Sequence, residues 1–343
     1  MSRQATNKLL QKAKKSKSDE FYTQLCDIER ELQYYPNSFV DKIVYCNCDD
    51  PCTSNFFRFF KENFKELGLR KLIASCYKES DNSLFETHVN DRAYYCVYEG
   101  EDSTTQVIPF VGNGDFRSEE CIALLQQADM VVTNPPFSLF REFVSQIVKY
   151  GKDFLVIGNV NAITYKEIFD LIQKDKAWLG VNLGRGISGF IVPEHYEQYG
   201  SEVRINECGQ KIVATNGCLW LTNLELSQRH EDIILTKVYF GHEDIYPKYD
   251  NCDGINVDRT QDIPKDFNGL MGVPITFLHK YNPDQFEIVR FRKGDDGKDL
   301  RINGKCPYFR ILVKNRRLQN MPQRATEQYV VSSSPVMITT VKH

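Results

Sequence analysis

No run of about 18 consecutive apolar residues occurs in the sequence, so no membrane-spanning helix is expected. The opening segment, MSRQATNKLLQKAKKSK, brings charge without an apolar centre, which excludes a secretory signal. Internal repeats are absent, which excludes a solenoid or propeller. The 11 cysteines include no CxxC pair. Cys46, Cys48 and Cys52 lie closest together, but no matching His or Cys pair follows, so no metal site is expected. These thiols read as small buried hydrophobes in a reducing cytosol, which places the chain in the cytoplasm. With 41% hydrophobic and 26% charged residues, the composition excludes collagen-like and mostly disordered chains.

Acidic residues are missing from two stretches. Residues 1–17 carry Arg3, Lys8, Lys12, Lys14, Lys15 and Lys17, a local charge of +6. Residues 301–325 carry Arg301, Lys305, Arg310, Lys314, Arg316, Arg317 and Arg324, a local charge of +7. The net charge of −3 therefore leaves −16 for the rest of the chain. An acidic body with basic ends can hold a polyanion through those ends. A solvated helix face and a solvated tail are the competing reading of the same residues.

Short apolar runs alternate with helical periodicity through the first half. KIVYCNC (42–48), KLIASCY (71–77), DMVVTN (129–134) and DFLVIGNV (153–160) read as strands. Segments 19–35, 54–68, 118–128 and SLFREFVSQIVKYG read as helices, two of them closed by Gly68 and Gly151. This alternation predicts an α/β fold with a doubly wound, mostly parallel sheet. After about residue 178 helices become scarce and WLGVNL, GFIVP, KIVAT and CLWLTNL read as β pieces, with one later helix over 282–291. The expected division is a basic segment 1–18, a core 19–180, a β-rich region 181–318 and a weakly ordered tail 319–343.

The chemically informative tetrapeptide is Asn134-Pro135-Pro136-Phe137, where the strand 129–134 ends. In open α/β sheets ligands bind beyond the carboxyl ends of the strands. An exocyclic amine on adenine is a poor nucleophile because its lone pair is delocalised into the ring. An Asn side-chain oxygen and a backbone carbonyl can both accept its hydrogens, favouring a pyramidal nitrogen that can attack a methyl group. Two prolines stiffen the loop and remove competing N–H donors, so the acceptors are preorganised. Phe137 offers a flat face for a purine.

Strand-NPPF-helix resembles motif IV of the amino-directed, S-adenosylmethionine-dependent methyltransferases. Asp19-Glu20-Phe21-Tyr22-Thr23-Gln24 resembles their motif X, with Gln24 in place of the usual proline. Together with NKLLQKAKKSKSDEFYTQ, VYCNCDDP, VVTNPPFSLF, LGRGISGFIVPEHYE, YPKYDN and MGVPITFLHKYNP, over roughly residues 5–318, the chain resembles the EcoRI-type DNA adenine-N6 methyltransferases. The resemblance implies a Rossmann-like S-adenosylmethionine-binding core and a target-recognition region. It implies that Asn134 and the Pro135 carbonyl hold the target amine on the stiff Pro135-Pro136 turn, with Phe137 against the base. Phe21, Tyr22 and Thr23 would line the cofactor pocket; Asp115-Phe116 resembles motif III, with Ser118 and Arg117 competing with Asp115 for the following helix cap. Double-stranded DNA is the implied partner, with the sequence GAATTC and methylation of its second adenine after base flipping. A functional pairing with a restriction endonuclease without a stable complex, a monomer, and a bacterial or phage-infected cell follow from the same resemblance.

Two departures bear on the site. The turn after the first strand, Cys48-Asp49-Asp50-Pro51-Cys52-Thr53-Ser54, has no glycine, although Asp50-Pro51 resembles the DP of motif I, which implies Asp49, Asp50 and Pro51 as cofactor contacts. The second strand lacks an acid for ribose, Glu79 being the nearest. Gly184-Arg185-Gly186-Ile187-Ser188-Gly189 matches GxGxxG, but an extended FIVP follows where a dinucleotide site needs a helix, so it reads as a flexible loop with Arg185 available for phosphate. His195, a lone histidine beside Glu194, reads as a surface or hydrogen-bond-satisfied histidine. Lys12, Lys14, Lys15, Arg185, Arg316 and Arg317 are the candidate phosphate contacts. Methylation of RNA adenine or a protein glutamine, and an inert DNA-binding protein of the same fold, are the alternatives.

Overall fold

The computed structural model describes residues 22–48, 50–78, 92–100, 103–192, 203–206, 209–214, 217–292, 300–307 and 309–319. Contacts divide the chain into two compact units, Met1–Gln228 and Arg229–His343.

In the first unit the apolar runs at 42–48, 71–77, 129–134 and 153–160 become strands in the expected places, whereas the segment expected to be a helix over 19–35 begins with an extended pair and is helical only at Leu25–Leu32. Strand β1 (Tyr22–Thr23) precedes helix α1 (Leu25–Leu32) and β2 (Ile43–Cys46). Helix α2 (Asn55–Glu62) is capped by Ser54, whose hydroxyl accepts from the amides of Phe56 and Phe57, and it buries Phe56, Phe57, Phe59 and Phe60. Then come β3 (Lys71–Ser75), β4 (Tyr94–Tyr98) and β5 (Gln106–Pro109). Helix α3 (Glu119–Gln127) is capped by Ser118, and β6 (Met130–Thr133) leads through a short turn into α4 (Phe140–Lys149). Gly151, at φ 64°, closes α4 with the Lys152 amide donating to the Ile147 carbonyl, a glycine-dependent helix end. Strand β7 (Asp153–Asn159), helix α5 (Lys166–Gln173), which the apolar pattern left unassigned, and β8 (Trp178–Leu179) follow.

Eight strands form one sheet in the order β5-β4-β3-β2-β6-β7-β12-β8, with β12 at Cys218–Thr222. The centre, β3-β2-β6-β7, is parallel. Both flanks are antiparallel, giving three parallel and four antiparallel pairings, so the sheet is mixed rather than mostly parallel. On one flank β4 and β5 return as a hairpin, and on the other β12, remote in sequence, arrives from the opposite direction beside β7. That pairing also carries the compact unit past the expected boundary at 180 to Gln228, because Trp220 and Leu221 complete the core that Ile157 and Val156 begin. A second sheet, β1-β9-β11-β10, joins β1 to β9 (Phe190–Ile191), β11 (Lys211–Val213) and β10 (Val203–Ile205).

The second unit is built on a five-stranded sheet of order β13-β14-β15-β17-β16: Lys248–Tyr249, Cys252–Asn256, Leu270–Pro274, Arg310–Asn315 and Phe286–Arg292. The helix expected over 282–291 is strand β16 instead, paired antiparallel with β17. Its Phe286 and Ile288 are buried two residues apart, a strand period, and the β-branched Ile288-Val289 pair favours that form. No helix among the described residues is long and apolar enough to cross a membrane, and none of their His, Cys, Asp and Glu groups forms a metal-ligating cluster.

The glycine-free turn after β2 still contains a left-handed residue, Cys48 at φ 67°. A side chain there costs about 1–2 kcal/mol, more for a β-branched one. Cys48→Gly is expected to shift unfolding free energy by under about 1 kcal/mol, whereas Cys48→Val lowers it by about 2 kcal/mol in chemical denaturation. Equal effects would show that the turn does not keep this conformation.

Candidate active site

The parallel pairing of β2 with β6 sends both chain exits to one edge of the sheet. Across that edge the Thr133 hydroxyl donates to the Asn47 carbonyl, so the loop leading to NPPF is tied to the turn after β2. The third neighbour, β3, joins through Ser75, whose hydroxyl donates to Asn47 Oδ1 at 3.4 Å and pairs with the Tyr45 hydroxyl at 2.7 Å. Asn55 Nδ2 donates to the Thr23 carbonyl at 2.8 Å, which brings β1 to the same edge. The resemblance to motifs X, I and IV is thus carried by residues far apart in sequence that hydrogen bonds draw together.

Asn134 is half-buried with its Oδ1 shielded from solvent, Pro135 is buried, and Pro136 holds φ −54° as the chain turns into the single helical turn Phe137–Leu139. The Leu139 amide donates to the Pro136 carbonyl at 3.0 Å. Phe137 packs on the main core, and its ring lies 5.8 Å from that of Phe190 at 59°. In the sequence Phe190 reads only as a β residue; its place opposite Phe137 depends on the pairing of β9 with β1, Phe190 facing Thr23.

On the side expected to hold the cofactor, Tyr22 is half-buried and Thr23 is 2% exposed. The Thr23 hydroxyl is buried and finds no hydrogen-bond partner among the described residues, an unmet polar group of the kind that a bound polar ligand satisfies. Asp50 accepts from the Cys52 amide at 2.9 Å and from the Tyr94 hydroxyl at 2.7 Å, and Pro51 is buried beneath the turn. Burial, the Cys52 thiol and Asp50 together hold the Tyr94 phenol well above its usual range. The loop carrying motif III also reaches this edge. A Cβ on Gly114, at φ 74°, would sit 2.2 Å from the Cys76 carbonyl, so only glycine permits the approach. Asp115 itself is engaged: Arg117 donates to its two oxygens at 2.6 and 2.9 Å, and this pairing pulls its carboxyl below the usual range. Ser118, not Asp115, caps α3. Phe116 is packed in the core, 5.1 Å from Phe143.

The GxGxxG segment is a pinned turn rather than a flexible loop. One helical turn, Gly184–Gly186, is all that opens there, as the rejection of a dinucleotide site requires, and Ile187 is buried. Helix α1 grips it through two carboxylates. Glu31, 0% exposed, accepts from the amides of Val181 and Asn182 at 2.9 and 2.8 Å, from Asn182 Nδ2 and from the Tyr35 hydroxyl. Asp27 accepts from the Ser188 amide and hydroxyl, both at 2.9 Å. Burial pushes both carboxyls above the ordinary range, against the pull of these donors. Both acids lie on the buried face of α1 with Ile28 and Leu32. Charged residues on an apolar helical stripe were the signal available for them in the sequence.

Among the candidate phosphate contacts, Arg316 and Arg317 are exposed in the second unit. Arg316 Nε donates to the Phe286 carbonyl at 3.2 Å, and Arg317 pairs with Asp232 at 2.5 Å. Arg310, counted in the basic stretch, is 9% exposed and bonded to Asn256 and Asp258, so it is a strut of the sheet. Phe21, Asp49, Lys12, Lys14, Lys15, Glu79, His195 and the Arg185 side chain lie outside the described residues, as do the segments 1–18 and 320–343.

The family model described as adenine-specific methyltransferase EcoRI matches residues 9–316. The chain is 63% identical to the type II methyltransferase M.EcoRI of Escherichia coli over 93% of this chain and 100% of that protein. It is 37% identical to the type II methyltransferases M.MpnI of Mycoplasma pneumoniae, over 89% of this chain and 98% of that one, and M.MgeORF184P of Mycoplasma genitalium, over 90% and 98%. No solved structure matches it. With its NPPF loop and strand β1 drawn to one sheet edge, the chain is a methyltransferase and belongs to the adenine-specific EcoRI methyltransferase family.

Proposed function

We propose that this protein is a site-specific DNA methyltransferase that moves a methyl group from S-adenosylmethionine to N6 of adenine in duplex DNA, within GAATTC. The observation that carries the reading is the tie between Thr133 and Asn47, which sets the NPPF loop beside the turn after β2 on one sheet edge. The strand order supports a Rossmann-like methyltransferase core: a parallel centre β3-β2-β6-β7, with the chain crossing from one side of β2 to the other, creates a switch point at that edge.

The residues present fit the cofactor. Tyr22, the unpartnered hydroxyl of Thr23, Asp50 and Pro51 would hold it, with Phe21 and Asp49 adjacent in sequence. Asp115 and Phe116 belong to the same proposed pocket through the Gly114 approach, Asp115 acting with Arg117 as an ion pair at its rim. S-adenosylmethionine supplies, when bound, an electrophilic sulfonium methyl. The protein supplies the rest. Asn134 Oδ1 and the Pro135 carbonyl accept the two amine hydrogens and leave the nitrogen lone pair directed outward. Pro135 and Pro136 prevent those acceptors from reorienting, so little free energy is spent on alignment at the transition state. Phe137 covers one face of the extruded adenine, which cannot be reached inside the stack. Lys12, Lys14, Lys15, Arg185, Arg316 and Arg317 are the proposed phosphate contacts; Arg316 and Arg317 remain exposed beyond their internal bonds. Residues 181–318 would read the target sequence. A monomer suffices because one strand is modified per event, and protection against a matching endonuclease would need no stable complex with it. Cytoplasmic DNA of a bacterial or phage-infected cell is the proposed setting. Methylation of a glutamine amide is the second reading, and Phe137 in place of the tyrosine more usual there weighs against it.

Labelled methyl transfer tests the assignment: incorporation into a GAATTC duplex is expected, with little into a scrambled duplex, RNA or a glutamine peptide. Transfer to RNA or peptide alone would replace it. Asn134→Ala is expected to lower turnover by roughly 10²–10³-fold with cofactor affinity retained, since its partner is the target amine. A loss of cofactor binding instead would place Asn134 in the other pocket. Deleting residues 1–17 is expected to weaken DNA binding and to flatten log K against log salt, by about 0.9 for each phosphate that the segment neutralises. An unchanged slope would leave that basic segment merely solvated.

A further inference from the structure

Two carboxylates buried to 1% and 0% exposure are an expensive way to hold a turn, since burying a charge costs several kcal/mol unless it is fully bonded. Tyr35 and Arg30 each supply one bond, to Glu31 and Asp27 respectively, and the segment 181–189 supplies the rest. Glu31 takes the amides of Val181 and Asn182, and Asp27 takes both donors of Ser188. Gln24 adds two bonds, Nε2 donating to the Ser188 hydroxyl at 2.6 Å and to the Gly189 carbonyl at 3.0 Å. Arg30 donates to the Gly186 carbonyl at 2.7 Å, and Asn182 Nδ2 returns to the Arg30 carbonyl at 3.0 Å. The fit is close at both ends. A Cβ on Gly180 would lie 2.2 Å from Glu31 Oε1, and Gly189, at φ 135°, would drive one to 2.7 Å from the Val213 carbonyl. Immediately after Gly189 comes Phe190, whose backbone pairs with Thr23 and whose ring meets Phe137.

We propose that Gln24, Asp27 and Glu31 are positioning residues for capture of the target base: by clamping segment 181–189 onto α1, they deliver Phe190 against Phe137. This rests on the reading that Phe137 covers the extruded adenine. The clamp begins one residue after Thr23, so the chain that borders the proposed cofactor pocket also sets the ring opposite NPPF. The departure from the family's proline at position 24 has a consequence in this light, because proline has no side-chain donor for Ser188 and Gly189. An ordinary packing role predicts general destabilisation when the clamp is cut. A positioning role predicts a loss in the chemical step, with the cofactor still bound.

Ser188→Ala and Gln24→Ala cut the clamp without opening a large cavity, and Ser188→Thr keeps its hydroxyl. The full-length protein, a GAATTC duplex and S-adenosylmethionine are used, with single-turnover methyl transfer, cofactor affinity, melting temperature and amide hydrogen exchange as readouts. Ser188→Ala and Gln24→Ala are expected to slow transfer at saturation by roughly tenfold to a hundredfold, as a small misplacement does. Cofactor affinity should move less than about twofold, exchange should rise selectively across 181–191, and Ser188→Thr should recover most of the rate. Faster exchange in that segment with an unchanged transfer rate would overturn the role. So would a rate loss that tracks a general fall in melting temperature and a uniform rise in exchange. A wild-type protein active on duplex with unaffected variants defeats the clamp alone, whereas a wild type inactive on every duplex defeats the substrate reading beneath it.

Discussion

The parallel pairing of β2 with β6 is the constraint on which the rest of this site depends. Val44 beside Met130 and Tyr45 beside Val131 set the register, and from it both exits reach the same edge of the sheet. Thr133 then bonds to Asn47, Ser75 closes on Asn47 from β3, and Asn55 brings Thr23 to the same place. A one-residue slip would move Thr133 to the other face of the sheet and separate the NPPF loop from the turn after β2. Buried strands rich in Val and Ile, such as β6 and β7, resist that slip because every residue is packed on one face or the other.

Polar bonds then do what apolar packing does not. The core under the sheet holds Phe39, Phe56, Phe60 and Trp220 and would tolerate small rearrangements of a loop above it. Hydrogen bonds to Asp27 and Glu31 tolerate fewer, since each depends on direction as well as distance. A loop held through carboxylates keeps one conformation, which suits a segment ending in an aromatic ring set against the NPPF loop. Charge follows the same logic at larger scale. Arg310 counts toward the basic character of the C-terminal stretch, yet it is buried as a partner of Asn256 and Asp258, so only part of that charge faces outward.

The central strands β2, β3, β6 and β7 were legible because short apolar runs bounded by polar or turn-forming residues have few alternatives, whereas β1 lay hidden in a segment of helical periodicity. The NPPF loop was legible because two prolines and an Asn at a strand end have a chemistry of their own. Helix α5 and strand β16 were not. In β16 the period-2 burial of Phe286 and Ile288 competes with a pattern that also fits a helix, and pairing with β17 decides it. The boundary near 180 follows a real change in texture. It falls short because β12, though remote in sequence, completes the first sheet beside β7. Cys48 shows a third kind of limit: the turn needs a left-handed residue, and a cysteine fills the place that composition would assign to glycine.

By itself the sequence determined the central strands, the stiff Pro135-Pro136 turn at the end of β6 and the family, because these depend on neighbouring residues and on motif chemistry. Tertiary structure alone decided that Phe190 meets Phe137, that GRGISG is clamped rather than free, and that Asp115 is spoken for by Arg117. Those contacts join residues far apart in the chain, or choose among several hydrogen-bond partners. Their outcome is set by which backbone groups the folded sheet leaves within reach.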